Sequence, residues 1–231
     1  MRSLVILPTY NERENIPLIV PALLEIDSLR ILIVDDGSPD GTGALADRLA
    51  ADSGGRVSVL HRQGLRGLGR SYLDGMRHAL KTDADLICQM DADLSHQPSD
   101  LRRLLEAACQ ADLAVGSRYV DGGGIVNWPL RRALLSKYAN RYTRTIAGLS
   151  MNDCTGGVRC WRRDALARVP FHRMSSDGYA FTVELLWEAV RAGLSIAEVP
   201  ITFVERRHGA SKLNRGVLVE SALLPWRLAL R

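Results

Sequence analysis

No stretch of this 231-residue chain offers about 18 uncharged apolar residues in a row, so nothing in it reads as a membrane span. The nearest approach, Gly216 to Leu230, is interrupted by Glu220, Pro225 and Arg227. The first apolar run, Leu4 to Leu7, is short and meets Pro8 at once, so no signal peptide is visible. Cysteine pairs of the Cys-x-x-Cys kind are missing. Cys88, Cys109, Cys154 and Cys160 stand apart, with no histidine at zinc-finger spacing. That excludes a zinc site and reads as reduced thiols in a cytosolic compartment. Internal repeats, low-complexity tracts and linker-like shifts in composition are also missing, so the whole of 1–231 is expected to be one domain.

What is present is ordinary globular material, 46% hydrophobic and 24% charged. The net charge is +4 and the isoelectric point about 9.0. This mild basic excess suits anionic ligands or an anionic surface and is too small to require nucleic acid.

The first half alternates two kinds of segment. Short apolar runs at Ser3–Leu7, Arg30–Val34, Val57–His61, Ala84–Met90 and Leu113–Gly116 read as strands. Helical spacing follows the first four, as in Ile16, Ile19, Val20, Leu23 and Leu24, where Asn11 or Asn15 can cap and Pro21 should kink. Repeated βαβ units predict a mostly parallel sheet covered by helices on both faces. Ligands of such sheets bind beyond the carboxyl ends of the strands. Three strand ends carry polar clusters: Pro8-Thr9-Tyr10-Asn11-Glu12, Asp35-Asp36 and Asp91-Ala92-Asp93.

The second half changes character. Gly122-Gly123-Gly124 is a hinge-like break, and Leu130 to Leu149 reads as a helix rich in Arg and Lys. Asp153 to Arg159 reads as a loop, Phe181 to Ala192 as a helix, and Ile196 to Val204 as extended chain around Pro200. A last helix ends at Leu230, with Ser211 or Asn214 as its cap.

Asp91 and Asp93 close an apolar run, one residue apart. Side chains two apart share a face of a strand, so both carboxylates can reach one ion. Oxygen-only ligation suits Mg²⁺ or Mn²⁺ bridging carboxylates to substrate phosphates, and an acidic solvated turn fits the same residues. The Gly-rich fingerprints that cradle phosphates are absent. Pro-Thr-Tyr-Asn-Glu follows the first strand, and Gly64-Leu65-Arg66-Gly67-Leu68-Gly69 lacks the Gly-Lys-Ser/Thr of a Walker loop. A diphosphate here needs a metal and basic side chains instead. Asp36 can accept hydrogen bonds from a nucleobase or ribose.

Leu7 to Glu12, Val34 to Thr42, Met90 to His96 and Gly116 to Tyr119 stand in one order. Together they closely resemble dolichol-phosphate (polyprenol-phosphate) mannose synthases, which are family 2 glycosyltransferases of GT-A fold. The likeness continues through Trp128, Arg132, Ser136, Asp153 to Arg159, Gly178-Tyr179 and Phe203 to Lys212, nearly the whole chain. It implies a Rossmann-like, mostly parallel α/β sheet flanked by helices. Residues 1–120 would bind the nucleotide sugar. Residues 121–231 would bind the acceptor and end in an extension of amphipathic helices.

By the same resemblance, Pro8, Tyr10, Glu12, Val34 and Asp36 would hold the guanosine end of GDP-mannose. Asp91, Ala92 and Asp93 would face the diphosphate, with the two aspartates on Mg²⁺ or Mn²⁺. Ser95 takes the position where some relatives place a Gln metal ligand, and a hydroxyl is the poorer donor. Arg206 and Lys212 would lie over the nucleotide. Arg118, Arg132 and Ser136 would bind the phosphate of a dolichyl or polyprenyl monophosphate. Asp91, Asp93 and Arg118 are the residues expected to carry catalysis.

Arg132 and Ser136 also share one face of the predicted helix, at i and i+4, where guanidinium and hydroxyl suit a phosphate. The same helix combines Leu130, Leu134, Tyr138 and Tyr142 with Arg131, Lys137, Arg141 and Arg144. It fits a membrane interface, and equally a core helix with a charged outer face. His61, His78 and His172 read as surface or structural residues; Glu184 reads as a surface charge, with a site role left open by the resemblance, and His96, beside the aspartate pair, reads as structural ahead of a contact to substrate.

The expected activity is inverting transfer of mannose from GDP-mannose to a polyprenyl phosphate, peripherally on the cytoplasmic face of a membrane. A separate membrane-anchoring subunit is a partner compatible with the missing span. A UDP-glucose-dependent polyprenyl-phosphate glucosyltransferase and a non-catalytic nucleotide-sugar-binding protein are the alternatives. A nicotinamide-dependent reductase is disfavoured by the missing glycine fingerprint.

Overall fold

The computed structural model describes residues 1–176, 178–205 and 215–231. In chain order the first half gives β1 (Ser3–Thr9), α1 (Ile16–Leu24), β2 (Leu29–Asp35), α2 (Thr42–Asp52), β3 (Val57–His61), α3 (Leu68–Ala79), β4 (Leu86–Gln89), α4 (Pro98–Ala107) and β5 (Leu113–Ser117). The second half gives β6 (Gly124–Val126), α5 (Leu130–Ala147), β7 (Arg159–Arg162), α6 (Arg163–Ala167), α7 (Gly178–Arg191), β8 (Ile196–Pro200), β9 (Thr202–Val204) and α8 (Arg215–Ala229).

Seven strands form one sheet in the order β3-β2-β1-β4-β7-β5-β8. All neighbours are parallel except at β7, which runs antiparallel to β4 and β5. The sheet is thus mostly parallel and covered by helices on both faces, as the alternating pattern predicts. Strand β7 has no periodic signal in the sequence. Its four residues, Arg-Cys-Trp-Arg, do not alternate in polarity, and burial on both faces hides a strand from periodicity. The Gly122–Gly124 break leads into β6, which pairs with β9 in a separate two-stranded sheet.

The chain winds outward from β1 through β2 to β3, then returns to place β4 on the other side of β1. The switch point therefore lies at the carboxyl ends of β1 and β4, where ligands of open α/β sheets bind. Alternate residues of β1 feed two cores. Leu4 and Ile6 join Tyr72, Met76, Trp161 and Phe181 on one face. Val5 and Leu7 join Ile16, Ile19, Leu101 and Leu104 on the other. A Cβ at Gly75 would sit 2.6 Å from Ile6 Cγ2, so glycine lets α3 lie close on β1.

Asn15 takes the N-cap position of α1 but makes no side-chain cap. Its amide donates to Glu12 Oε2 instead, at 2.6 Å. Asn11 turns the chain at φ +58°, a value that Asn tolerates better than most residues. Among the described residues no helix is long and apolar enough to cross a membrane.

Candidate active site

Parallel pairing brings the polar strand ends to one edge. In register, Pro8 lies beside Val34 and Thr9 beside Asp35. Pro8 and Val34 are both buried within the sheet, and the Val34 side chain packs with Ile6, Tyr72 and Met76. Neither side chain is offered to a ligand at the surface. They set the height at which Tyr10, Glu12 and Asp36 emerge.

Asp35 accepts from Thr9 Oγ1 (3.2 Å), Ser38 N (3.2 Å) and Ser38 Oγ (2.6 Å), fixing the turn. Asp36 accepts from the Arg62 guanidinium and from Gly67 N at 2.8 Å. The glycine loop that lacks a Walker sequence therefore turns one N–H to a carboxylate of its own chain. Arg66 lies 4.7 Å over the Tyr10 ring, donates to its hydroxyl at 2.8 Å and reaches Gly37 O at 3.0 Å. Glu12 receives Asn15 at its carboxylate, and its own N–H donates to Thr42 Oγ1 at 3.0 Å.

Asp91 and Asp93 follow β4 at the switch point and are partly exposed, while Ala92 between them is buried. Tyr72 Oη, from α3, donates to Asp91 Oδ1 at 2.8 Å. Burial and then the charge of Asp91 push the Tyr72 phenol well above its ordinary range, so it stays a donor. A Cβ on Gly157 would lie 3.0 Å from Asp91 Oδ2, so the approach to β7 leaves that oxygen a slot without a side chain. Ser95 N donates to Asp93 Oδ1 at 3.1 Å across Leu94, which adopts φ +64°. Ser95 Oγ is buried and has no partner.

Among the described residues no three His, Cys, Asp or Glu side chains group closely enough to hold a metal. The protein thus brings two carboxylates, with an orphan hydroxyl beside them. This donor set fits a hard divalent cation whose remaining positions go to water and substrate phosphates.

The residues expected to meet an acceptor phosphate also gather. Arg118 is almost fully buried and forks onto Asp153, with Nε to Oδ2 at 2.7 Å and Nη2 to Oδ1 at 2.8 Å. Nη2 also donates to Thr155 Oγ1 at 2.7 Å. Burial raises the Asp153 carboxyl, but Arg118 outweighs it and holds the group below its ordinary value. Tyr119 donates to Ser136 Oγ at 2.8 Å. Arg132 pairs with Glu205 and lies 4.0 Å over the Trp128 ring. Arg206 and Lys212 lie outside the described residues.

An aromatic cluster joins the two groups. Phe203 meets His96 edge-on at 5.2 Å and Trp128 at 5.3 Å, and Arg118 stands 5.5 Å from it. His96 is buried. Desolvation drives its pKa down to about 4, against the pull of Asp93 and with the help of Arg118.

Helix α5 buries only Asn140, Thr143 and Ala147. Leu130 (74%), Leu134 (59%) and Tyr138 (70%) are exposed, among exposed Arg131, Lys137 and Arg141. Tyr142 Oη donates to Ala222 O at 2.8 Å and accepts from Trp226 Nε1 at 2.9 Å, tying α5 to α8. Leu223, Trp226 and Leu230 of that segment are exposed as well.

Three residues of the edge carried no signal of their own in the sequence, Arg62, Arg66 and Tyr72, and the Asp153 that answers Arg118 entered only as part of the resemblance. Each faces a partner distant along the chain. Glu184, expected as a surface charge, is fully buried. It accepts from Ser175 N and Ser176 N and pairs with Arg231. Its place at helical spacing among apolar residues was compatible with either face.

An α/β sheet with an Asp-x-Asp pair at its switch point is the arrangement of a glycosyltransferase of GT-A-like fold. The sequence matches the profile of Glycosyl transferase family 2 over residues 4–169, and the chain belongs to that family. It is 51% identical to a polyprenol monophosphomannose synthase of Mycolicibacterium smegmatis, over 92% of this chain and 81% of the relative. It is 45% identical to an undecaprenyl-phosphate mannosyltransferase of Micrococcus luteus, over 100% and 96%. The fold matches that of the mannosyltransferase PcManGT from Pyrobaculum calidifontis, solved with GDP-Man and Mn²⁺. The TM-score is 0.61 at 17% identity, covering 99% of this chain and 73% of that one.

Proposed function

We propose that this chain is an inverting glycosyltransferase that moves mannose from GDP-mannose to a polyprenyl monophosphate at a membrane surface. One observation carries the reading. The carboxylate pair and the Arg132–Ser136 group flank a single aromatic cluster, and α5 holds the second group beside an exposed apolar and basic surface. The relatives' names, a polyprenol monophosphomannose synthase and an undecaprenyl-phosphate mannosyltransferase, support mannosyl transfer to a polyprenyl phosphate.

Asp91 and Asp93 would hold a divalent cation, Mg²⁺ or Mn²⁺, while the Ser95 hydroxyl, the poorer donor, stays off the metal. When bound, the cation neutralises charge that builds on the departing diphosphate. Each unit charge pair at about 4 Å is worth roughly 4 kcal/mol at an effective dielectric of about 20, before desolvation. Tyr72 turns Asp91 toward that position. Tyr10, Glu12 and Asp36 would line the nucleoside end, with Pro8 and Val34 shaping its floor through the backbone. Arg206 and Lys212 would add positive charge over the nucleotide.

The acceptor phosphate oxygen is already anionic near neutral pH, so it needs aim more than a base. Arg132 and Ser136 are accessible enough to give it. Arg118 is spent largely on Asp153, so we assign it the shape and potential of that pole. The oxygen attacks the anomeric carbon opposite the diphosphate and inverts it. Leu130, Leu134 and Tyr138 would enter the lipid interface, with Arg131, Lys137 and Arg141 at headgroup level. The polyprenyl phosphate then arrives at α5 from within the bilayer.

The test incubates the protein with Mn²⁺, polyprenyl phosphate and labelled GDP-mannose or UDP-glucose. Mannose label in the lipid phase is expected. Glucose label there would replace the donor, and no label would remove the enzymatic reading.

A further inference from the structure

Most buried polar groups in folded proteins have partners, so orphans gathered in one place call for an explanation. Four buried atoms beside the two phosphate poles have none: Ser95 Oγ, His96 Nδ1, His96 Nε2 and Trp128 Nε1. They come from two loops, those following β4 and β6, and Phe203 of β9 bridges His96 to Trp128 through the edge contacts at 5.2 and 5.3 Å.

We propose that Ser95, His96 and Trp128 form the subsite that reads the hydroxyls of the transferred hexose. This rests on the donor assignment made above. Ser95 N is bonded to Asp93, and the Trp128 ring lies under Arg132 at 4.0 Å. The anomeric carbon leaves the phosphate at the Asp93 side and joins the phosphate at the Arg132 side. The hexose must therefore span the space bordered by these three residues.

A serine hydroxyl and an imidazole both give and accept hydrogen bonds, and an indole N–H gives one. A phosphate only accepts and would leave the acceptor atoms unanswered. Sugar hydroxyls do both. The rings of Phe203 and Trp128 suit the C–H face of a pyranose. The orphan atoms are closed to solvent, so the hexose reaches them only after the side chains around them shift. Selection is then coupled to a local adjustment, and a sugar lacking a matching hydroxyl leaves buried groups unpaired.

Calorimetric titration of the Mn²⁺-loaded protein with GDP and with GDP-mannose separates sugar contacts from nucleotide contacts. Trp128→Phe removes the N–H and keeps a ring. His96→Leu removes both ring nitrogens. Each should weaken GDP-mannose by about 10-fold, the loss of one net hydrogen bond, and leave GDP within about 2-fold. Parallel weakening of GDP and GDP-mannose in both variants, or no weakening of either, overturns the subsite. A wild-type protein that binds GDP-mannose no better than it binds an unrelated nucleotide sugar overturns the donor assignment, and the subsite with it.

Discussion

The hydroxyl of Tyr72 donates to Asp91 Oδ1 at 2.8 Å, from a ring stacked on Phe181 at 6.0 Å and 3°. A fully buried phenol thus aims one of the two carboxylates at the switch point. Groups that orient ligands of a metal are commonly worth 10–100-fold in affinity. Tyr72→Phe keeps the stacked ring and should weaken Mn²⁺ binding by roughly 10-fold or more. Titration of free Mn²⁺ by electron paramagnetic resonance measures it directly. Equal affinity in the variant would reduce Tyr72 to packing.

Asp91→Ala and Asp93→Ala should each abolish mannosyl transfer, and chelation of divalent ions should do the same to the wild type. Radiolabel entering the lipid phase at wild-type rate in either variant would move the metal elsewhere. A His96→Ala enzyme that retains GDP-mannose binding yet transfers nothing would contradict the proposal that no general base is needed.

Arg118 and Asp153 form a buried pair, so removing one partner strands the other. Arg118→Ala should cost about 3–5 kcal/mol of stability, read from urea denaturation. The pH dependence follows from the depressed Asp153 carboxyl. Its stabilisation is fully present above the unfolded value of about 3.9 and is lost as pH falls through the lower folded value. Asp153→Asn should flatten that acid limb. An unchanged limb would show that other carboxylates set it.

Glu205 occupies the Arg132 guanidinium that the acceptor phosphate is proposed to use. Both side chains are about a third exposed, so the pair is worth at most roughly 1 kcal/mol. Glu205→Gln should then lower the KM for polyprenyl phosphate by up to about 5-fold without changing the KM for donor. A raised acceptor KM would make Glu205 a contributor instead of a competitor.

Charge reversal at Arg131, Lys137 and Arg141 should reduce co-sedimentation with anionic liposomes. Each basic residue near such a surface contributes roughly 1 kcal/mol, or about 5-fold, at low ionic strength. Leu134→Glu should reduce it further. Binding that ignores all four changes would leave α5 as a solvent-facing helix.

The alternation of strands and helices can be read from the linear chain, and so can the position of Asp91 and Asp93 at a strand end. Those features are local: apolar period and abrupt polar breaks survive in a linear reading. The linear chain also brings Arg132 and Ser136 onto one helical face, since i and i+4 spacing needs no tertiary information. The partners of these residues emerge only in the folded chain. Tyr72 is 19 residues from Asp91, and Asp153 is 35 from Arg118. Such pairs depend on which strands become neighbours, and β7 enters between β4 and β5 against the direction of both. That antiparallel insertion brings Gly157 against Asp91 and carries the chain from Asp153, beside Arg118, into the sheet. No periodicity in Arg159–Arg162 announces it, because a short strand buried among neighbours has no solvent face to record its register.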